Sequence, residues 1–375
     1  VDVVRLGVLP TPAATLLTPS LGVDMTVMIT ASHNPYYDNG IKLIAASGDK
    51  FGDDVTARLE AAVVDGEFSF DKEKLGRVSE DKTAAERYKE IALGMGGKEL
   101  PLQGLKVVLD CANGCFSEIM PEVFAKLGAD VTALSCTPDG TNINRDCGSQ
   151  HIDAMTAKVR DCGAMLGIAA DGDGDRIIIC DEKGNRVDGD QIIAFLGKYY
   201  KEHNRLKADT VVATIVSNPA LDRFLEGIGV KCVRSAVGER YVIEEMKKCG
   251  SNIGGEESGH MVVADYAKTG DTMMAALVIA MGLLQSGKKM SEIFPLFTPM
   301  TRKRIDSKFC GKDEMLAAFE LAAFQAEIKQ GEADIAGKGR ILVRKSGTEP
   351  KIQVWVWGDD VPLATAVSNR IASVL

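Results

Sequence analysis

Met165-Leu166-Gly167-Ile168-Ala169-Ala170-Asp171-Gly172-Asp173-Gly174-Asp175-Arg176-Ile177-Ile178-Ile179-Cys180 places an acidic loop between two apolar runs. Short continuous apolar runs suit strands that are buried on both faces. The three carboxylates alternate with glycines, which allow positive φ and let the side chains converge. Converging carboxylates make a candidate Mg²⁺ cage, because the ion takes hard oxygen ligands and keeps positions open for substrate oxygens. An EF-hand would use Asp171, Asp173, Asp175 and Glu182. Arg176 stands where that loop needs glycine, and a buried strand follows. A plain acidic turn is the other alternative.

Outward from this loop, strand-like runs alternate with helical patterns, the grammar of an α/β protein. Upstream, Lys106 to Asp110, Glu118 to Leu127 and Ala129 to Leu134 form a strand–helix–strand unit, with Gly128 ending the helix. Downstream, Thr210 to Val216, Pro219 to Leu225 and Val230 to Arg234 repeat it, which suggests related domains in tandem. The first segment offers strands at Val3 to Val8 and Asp24 to Ile29, then helices at Val55 to Val63 and Thr83 to Leu93. After Thr301 the pattern changes. A strand at Lys303 to Lys308, a long helix at Lys312 to Lys329, strands at Gly339 to Lys345 and Lys351 to Trp357 and a helix at Pro362 to Val374 read as an α+β domain with an antiparallel sheet. The expected domains are residues 1–98, 99–202, 203–302 and 303–375.

Three further motifs fit phosphoryl chemistry. Thr30-Ala31-Ser32-His33-Asn34-Pro35 puts a serine in a tight loop, with Lys42 ten residues beyond it. A phosphoserine carries close to two negative charges and must be matched by a metal or by cations. Lys42 could also move a sugar hydroxyl proton if its pKa were lowered. Glu256, Ser258 and His260 in a Gly-rich loop offer the donors and acceptors that sugar hydroxyls need. Arg344, Ser346, Gly347 and Thr348 combine a guanidinium, two hydroxyls and backbone N–H groups at a turn, which suits an anion. Each also has a plainer interpretation: an ordinary turn, a solvated lysine, a polar loop or a hairpin loop.

Bulk properties exclude other classes. The net charge is −9 and no basic tract interleaved with aromatics occurs, so nucleic acid is not an expected partner. The nine cysteines lack the paired spacing of a zinc site and read as reduced core residues of a cytoplasmic protein. The longest apolar stretch, Met273 to Leu284, is too short to span a bilayer. The chain starts at Val1 inside an apparent strand, and the expectation is an N-terminally incomplete protein.

In this order, the four motifs resemble those of the α-D-phosphohexomutases, over essentially the whole chain. The resemblance implies tandem related α/β domains around a central cleft, closed by a C-terminal antiparallel-sheet domain. It places the catalytic phosphoserine on Ser32, and one Mg²⁺ per active site on that phosphate with Asp171, Asp173 and Asp175. Arg176, His33 and Lys42 fall on active-site positions near the phosphoryl group. Gly238, Glu239 and Arg240 match a substrate-orienting loop, while Glu256 and Ser258 match residues that read sugar hydroxyls, with His260 beside them. Arg344, Ser346, Gly347 and Thr348 match the clamp for the phosphate that is not reacting.

The implied reaction interconverts glucosamine 6-phosphate and glucosamine 1-phosphate through a bisphosphorylated sugar, by a monomer or homodimer that binds neither nucleic acid nor membrane. Glucose or mannose phosphomutase, phosphoserine phosphatase and an inactive phosphosugar-binding fragment are the alternatives. Glu257 stands where glucosamine members usually carry Gln, and a carboxylate there could favour an amino sugar's ammonium. The family's usual opening, a Gly-Thr-Asp-Gly-Ile-Arg-like segment with a further Arg, is not in this sequence.

Overall fold

The computed structural model describes residues 1–66, 73–95, 101–346 and 349–375. They fall into two compact units, Val1–Thr214 with Val233–Pro295, and Ile215–Cys232 with Leu296–Leu375.

In the first unit, Asp130–Leu134, Lys106–Asp110 and Leu166–Ala170 pair in parallel, and Ile177–Asp181 and Arg186–Val187 extend the sheet antiparallel. Every residue of Leu166–Ala170 and Ile177–Asp181 is buried, so these strands carry no polar alternation. The helix Asp153–Cys162 packs Met155 and Val159 on Val108, Ala169 and Ile178. The acidic loop is therefore the turn at the carboxyl end of a parallel strand, where α/β sheets place their ligands.

A second sheet repeats the device. Thr210–Thr214 runs parallel to Ile253–Gly255, which turns through Glu256–His260 into the antiparallel strand Met261–Val263. Met25–Ile29 and Ile41–Ala45 form an antiparallel pair whose connection, residues 30–40, carries Ser32. The first strand is shorter than its sequence pattern: Val3–Arg5 stops before Gly7, which has φ 76, and pairs with Val78–Glu80. The helix Thr11–Leu21 follows, unmarked by pattern because Pro12 and Pro19 read as breakers. Pro12 sits in the first turn, where no N–H is needed, and Pro19 falls in the last.

The second unit is α+β. Lys351–Gly358 lies between Thr301–Lys308 and Gly339–Lys345, antiparallel to both. Ile352, Val354 and Val356 face Met315, Phe324, Val367 and Ile371 from the helices. Trp355 and Trp357 face Val216, Ala220 and Met300 on the other side.

The single helix expected over Lys312 to Lys329 is two helices, Lys312–Phe319 and Ala322–Asp334, broken at an extended Leu321. At 3.6 residues per turn, an unbroken helix would put Met315 and Phe324 about 180° apart. The break turns both into one core. Among the described residues no helix is long and apolar enough to cross a membrane.

Candidate active site

Asp171, Asp173 and Asp175 are buried, and one ligand oxygen from each lies within 4.8 Å of the others. Asp171 Oδ1 accepts the backbone N–H groups of Gly174 and Arg176, both at 3.1 Å, which curls the loop. Gly174 has φ 77, and a Cβ there would meet the Phe116 ring at 2.4 Å. Asp173 Oδ2 accepts from Thr11 Oγ1 at 2.7 Å and from Lys42 Nζ at 2.6 Å. Lys42 also donates to Asp175 Oδ2 at 2.8 Å. Asp173 Oδ1, though buried, has no hydrogen-bond partner. A set of hard oxygens with an unpartnered buried oxygen fits a divalent cation.

Burial and the charges of Asp175 and Asp173 raise Asp171 well above the usual carboxylate range. Burial opposes ionisation of Asp175 too, but His260 and Lys42 hold it well below that range. For Lys42, burial is outweighed by Asp175 and Asp173, which hold it above its ordinary value. That direction is opposite to the one a proton-accepting lysine needs, and suits a fixed cation.

Ser32 adopts φ 55, a conformation that L side chains adopt at a cost. It aims the hydroxyl at the acidic loop, donating to Asp171 Oδ2 at 2.7 Å. His33 Nδ1 lies 3.5 Å from Ser32 Oγ. Burial and the nearby Arg176 charge lower the His33 pKa from 6.5, so the ring is neutral at pH 7. The serine loop is docked through Asn144, whose Nδ2 donates to the carbonyls of Ser32 and Asn34, both at 2.9 Å.

The Glu256–His260 turn joins the same assembly through its backbone. Ile177 N donates to Gly259 O at 3.0 Å, and Arg176 pairs with His260 as a β-bridge. Gly259 has φ 102, and a Cβ there would press on Ile177 O at 2.5 Å. His260 Nδ1 lies 2.8 Å from Glu256 Oε2, and Nε2 lies 3.2 Å from Asp175 Oδ1. Burial disfavours the imidazolium, but Asp175, Glu256 and Glu239 push its pKa up to about 10. The two carboxylates favour the imidazolium, and Arg176 Nε lies 3.2 Å from the same Nε2. Ser258 Oγ is 3.4 Å from His260 Nδ1. Gly238 N donates to Glu256 Oε1 at 2.8 Å, and Arg240 Nε donates to Glu244 Oε1 at 2.8 Å along its own helix. Glu182 accepts from Ser291, outside the acidic loop, which disposes of the EF-hand alternative.

Arg344 and Ser346 belong to the second unit. Arg344 lies opposite Gln353 in the antiparallel pair, and Ser346 N donates to Lys351 O at 2.9 Å. Gly347 and Thr348 lie outside the described residues.

Comparison with known proteins places the chain in a family. Family models described as phosphoglucomutase/phosphomannomutase match along the chain: alpha/beta/alpha domain I at residues 1–69, domain II at 87–184, domain III at 188–300 and the C-terminal domain at 306–374. A protein of Paramagnetospirillum magneticum named phosphoglucosamine mutase is 46% identical over 378 residues, covering 100% of this chain and 83% of that protein. The chain belongs to the phosphoglucomutase/phosphomannomutase family.

A phosphoglucosamine mutase of Rhodospirillum centenum is 44% identical, covering 100% of this chain and 80% of that protein. Among solved structures, a family protein from Burkholderia thailandensis has a TM-score of 0.80 at 20% identity, over 100% of this chain and 82% of that one. An Aspergillus fumigatus N-acetylphosphoglucosamine mutase, solved with GlcNAc-6P and magnesium, has a TM-score of 0.72 at 17% identity, over 97% of this chain and 92% of that one. These likenesses match the mixed α/β fold with its antiparallel C-terminal sheet.

No sequence motif marks Thr11 and Asn144, which hold the acidic loop and the Ser32 loop. Thr11-Pro12 carries a faint signal, as a helix start, but nothing local names its partner. Asn144 lies in a polar stretch with no distinguishing neighbour.

Proposed function

We propose that this chain is a phosphohexomutase that interconverts glucosamine 6-phosphate and glucosamine 1-phosphate through phosphorylated Ser32 and a bisphosphorylated sugar. The observation that carries this proposal is the Ser32 hydroxyl, 2.7 Å from Asp171 at a buried triad of carboxylates. Its relatives' names, phosphoglucosamine mutase, supply the sugar.

Mg²⁺ would be held by Asp171, Asp173, Asp175 and the phosphate on Ser32, and would neutralise charge on the phosphoryl oxygens. The free sugar hydroxyl attacks phosphorus, and the bond from phosphorus to Ser32 Oγ breaks. The neutral ring of His33 is suited to take the hydroxyl proton and to return it in the reverse step. Lys42 remains a cation at Asp173 and Asp175, balancing the acidic loop as Ser32 gains and loses its phosphate.

Glu256 and Ser258 read the sugar hydroxyls beside the charged His260, and Gly238 and Arg240 orient the sugar. Arg344, Ser346, Gly347 and Thr348 take the phosphate that is not reacting. After transfer the bisphosphate reverses its orientation, and the second phosphoryl group returns to Ser32. Nine cysteines, read as reduced, suit a reducing compartment, in keeping with a cytoplasmic enzyme.

The test is ³¹P NMR of the chain with Mg²⁺ and glucosamine 6-phosphate, primed with its bisphosphate, beside glucose 6-phosphate. The expected result is formation of the 1-phosphate, faster for the amino sugar, and none with Ser32→Ala. Normal turnover by Ser32→Ala would overturn the phosphoserine role.

A further inference from the structure

The strand Ile41–Ala45 and the turn after it carry two lysines into the core of the site. Lys42 reaches the acidic loop. Lys50, whose backbone bridges back to Ile44, reaches Glu239, the first residue of the helix Glu239–Cys249. The Glu239 carboxylate is buried, and its other oxygen accepts from the Thr269 hydroxyl and the Gly270 N–H.

That segment in turn seats the acidic loop. Thr272 N donates to Gly174 O at 3.1 Å, and Thr272 Oγ1 donates to Arg176 O at 2.7 Å. Gly270 lies so close that a Cβ would stand 2.7 Å from Asp175 O. On the other side of Glu239, Gly238 N holds Glu256. The same turn makes two flanking contacts, Asp49 with Lys247 at 2.9 Å and the Ser47 carbonyl with Lys268.

We propose that Lys50 is a positioning residue: through Glu239 it keeps the Ser32 loop in register with both the acidic loop and the sugar loop. The proposal rests on the phosphoryl-transfer role of Ser32. Glu239 thereby acts from behind the site, with its carboxylate already committed to Lys50, Thr269 and Gly270. Removing Lys50 leaves a buried carboxylate without its cation, which forces the Glu239 segment to shift. Misplacement of the reacting groups by about 1 Å costs up to about 100-fold in rate.

The experiment compares Lys50→Met, Lys50→Arg, Glu239→Gln and the Lys50→Met/Glu239→Gln double variant in the full chain. For Lys50→Met the expected result is a fall in kcat of about 10- to 100-fold, with KM and the Mg²⁺ requirement changed less than about threefold. Lys50→Arg should recover most of the rate, and the double variant should lose no more than Lys50→Met alone. Amide hydrogen exchange across residues 30–45 should rise in Lys50→Met and not in Lys50→Arg.

Three results would overturn the proposal: kcat within twofold of wild type in Lys50→Met, unchanged exchange at 30–45, or additive losses in the double variant. If Lys50→Met fails to fold, Glu239→Gln decides by the same readouts. If the wild type converts no sugar phosphate, the transfer reading fails, and the exchange comparison still decides whether Lys50 holds the Ser32 loop.

Discussion

Asp173 divides its two oxygens between two tasks. Oδ2 is saturated by Thr11 and Lys42, which fix the side chain, while Oδ1 is left buried without a partner. An unsatisfied buried acceptor costs about 1–3 kcal/mol, so this atom is held ready for a ligand. Asp173→Asn should therefore weaken Mg²⁺ binding by more than about tenfold in calorimetric titration, without loss of the Thr11 contact. Unchanged affinity would place the metal elsewhere. Arg344 tests the opposite dependence. Arg344→Ala should weaken phosphosugar binding by about tenfold through loss of a charge-assisted pair, with Mg²⁺ affinity unaltered. Equal binding by that variant would remove Arg344 from the phosphate clamp.

At the scale of elements, the two loops that meet at Arg176 and His260 are built alike. Each is the turn between a strand with a parallel neighbour and its antiparallel successor, so each presents polar side chains from a rigid, buried base. The broken helix of the second unit follows a similar economy. Phe324 is fully buried among Met315, Val354 and Ile371 only because the chain breaks at Leu321. Phe324→Ala should cost about 3–5 kcal/mol of that unit's stability, the range for truncating a buried aromatic. Urea unfolding followed by Trp355 and Trp357 fluorescence would read it, and a change below about 1 kcal/mol would contradict the packing argument.

Across the whole molecule, pH tests a buried group at the start of a helix, Asp271, whose N–H donates to Met261 O at 3.1 Å. Asp271 caps the helix Thr272–Ser286 and accepts from Tyr88 Oη at 2.8 Å, yet its Oδ2 has no partner. Burial raises its pKa from 3.8 to about 7 against the pull of Tyr88 and Met274. Because the folded value is the higher one, the stabilising contribution is complete below about pH 4 and is lost as pH rises through about 7, at most about 4 kcal/mol. Asp271→Asn keeps a cap acceptor and removes the titration. Its urea midpoint should fall less than that of the wild type between pH 5 and pH 8, whereas parallel profiles would exclude Asp271 as the source. Local sequence was enough to expose the α/β alternation, the acidic turn and the serine loop, because burial on both strand faces leaves apolar runs and tight turns demand Gly, Pro and Asn. It also marked the antiparallel end of the chain. It did not mark the helix Thr11–Leu21, the break at Leu321 or the service of Asn144 and Lys50. Thr11 and Asp173 are 162 residues apart, and Lys42 and Asp173 are 131 apart. A side chain's local pattern encodes whether it is buried and how its backbone turns. Which distant group meets it, and with what charge, is decided only when sheets, loops and helix ends stack and exclude water from the atoms between them.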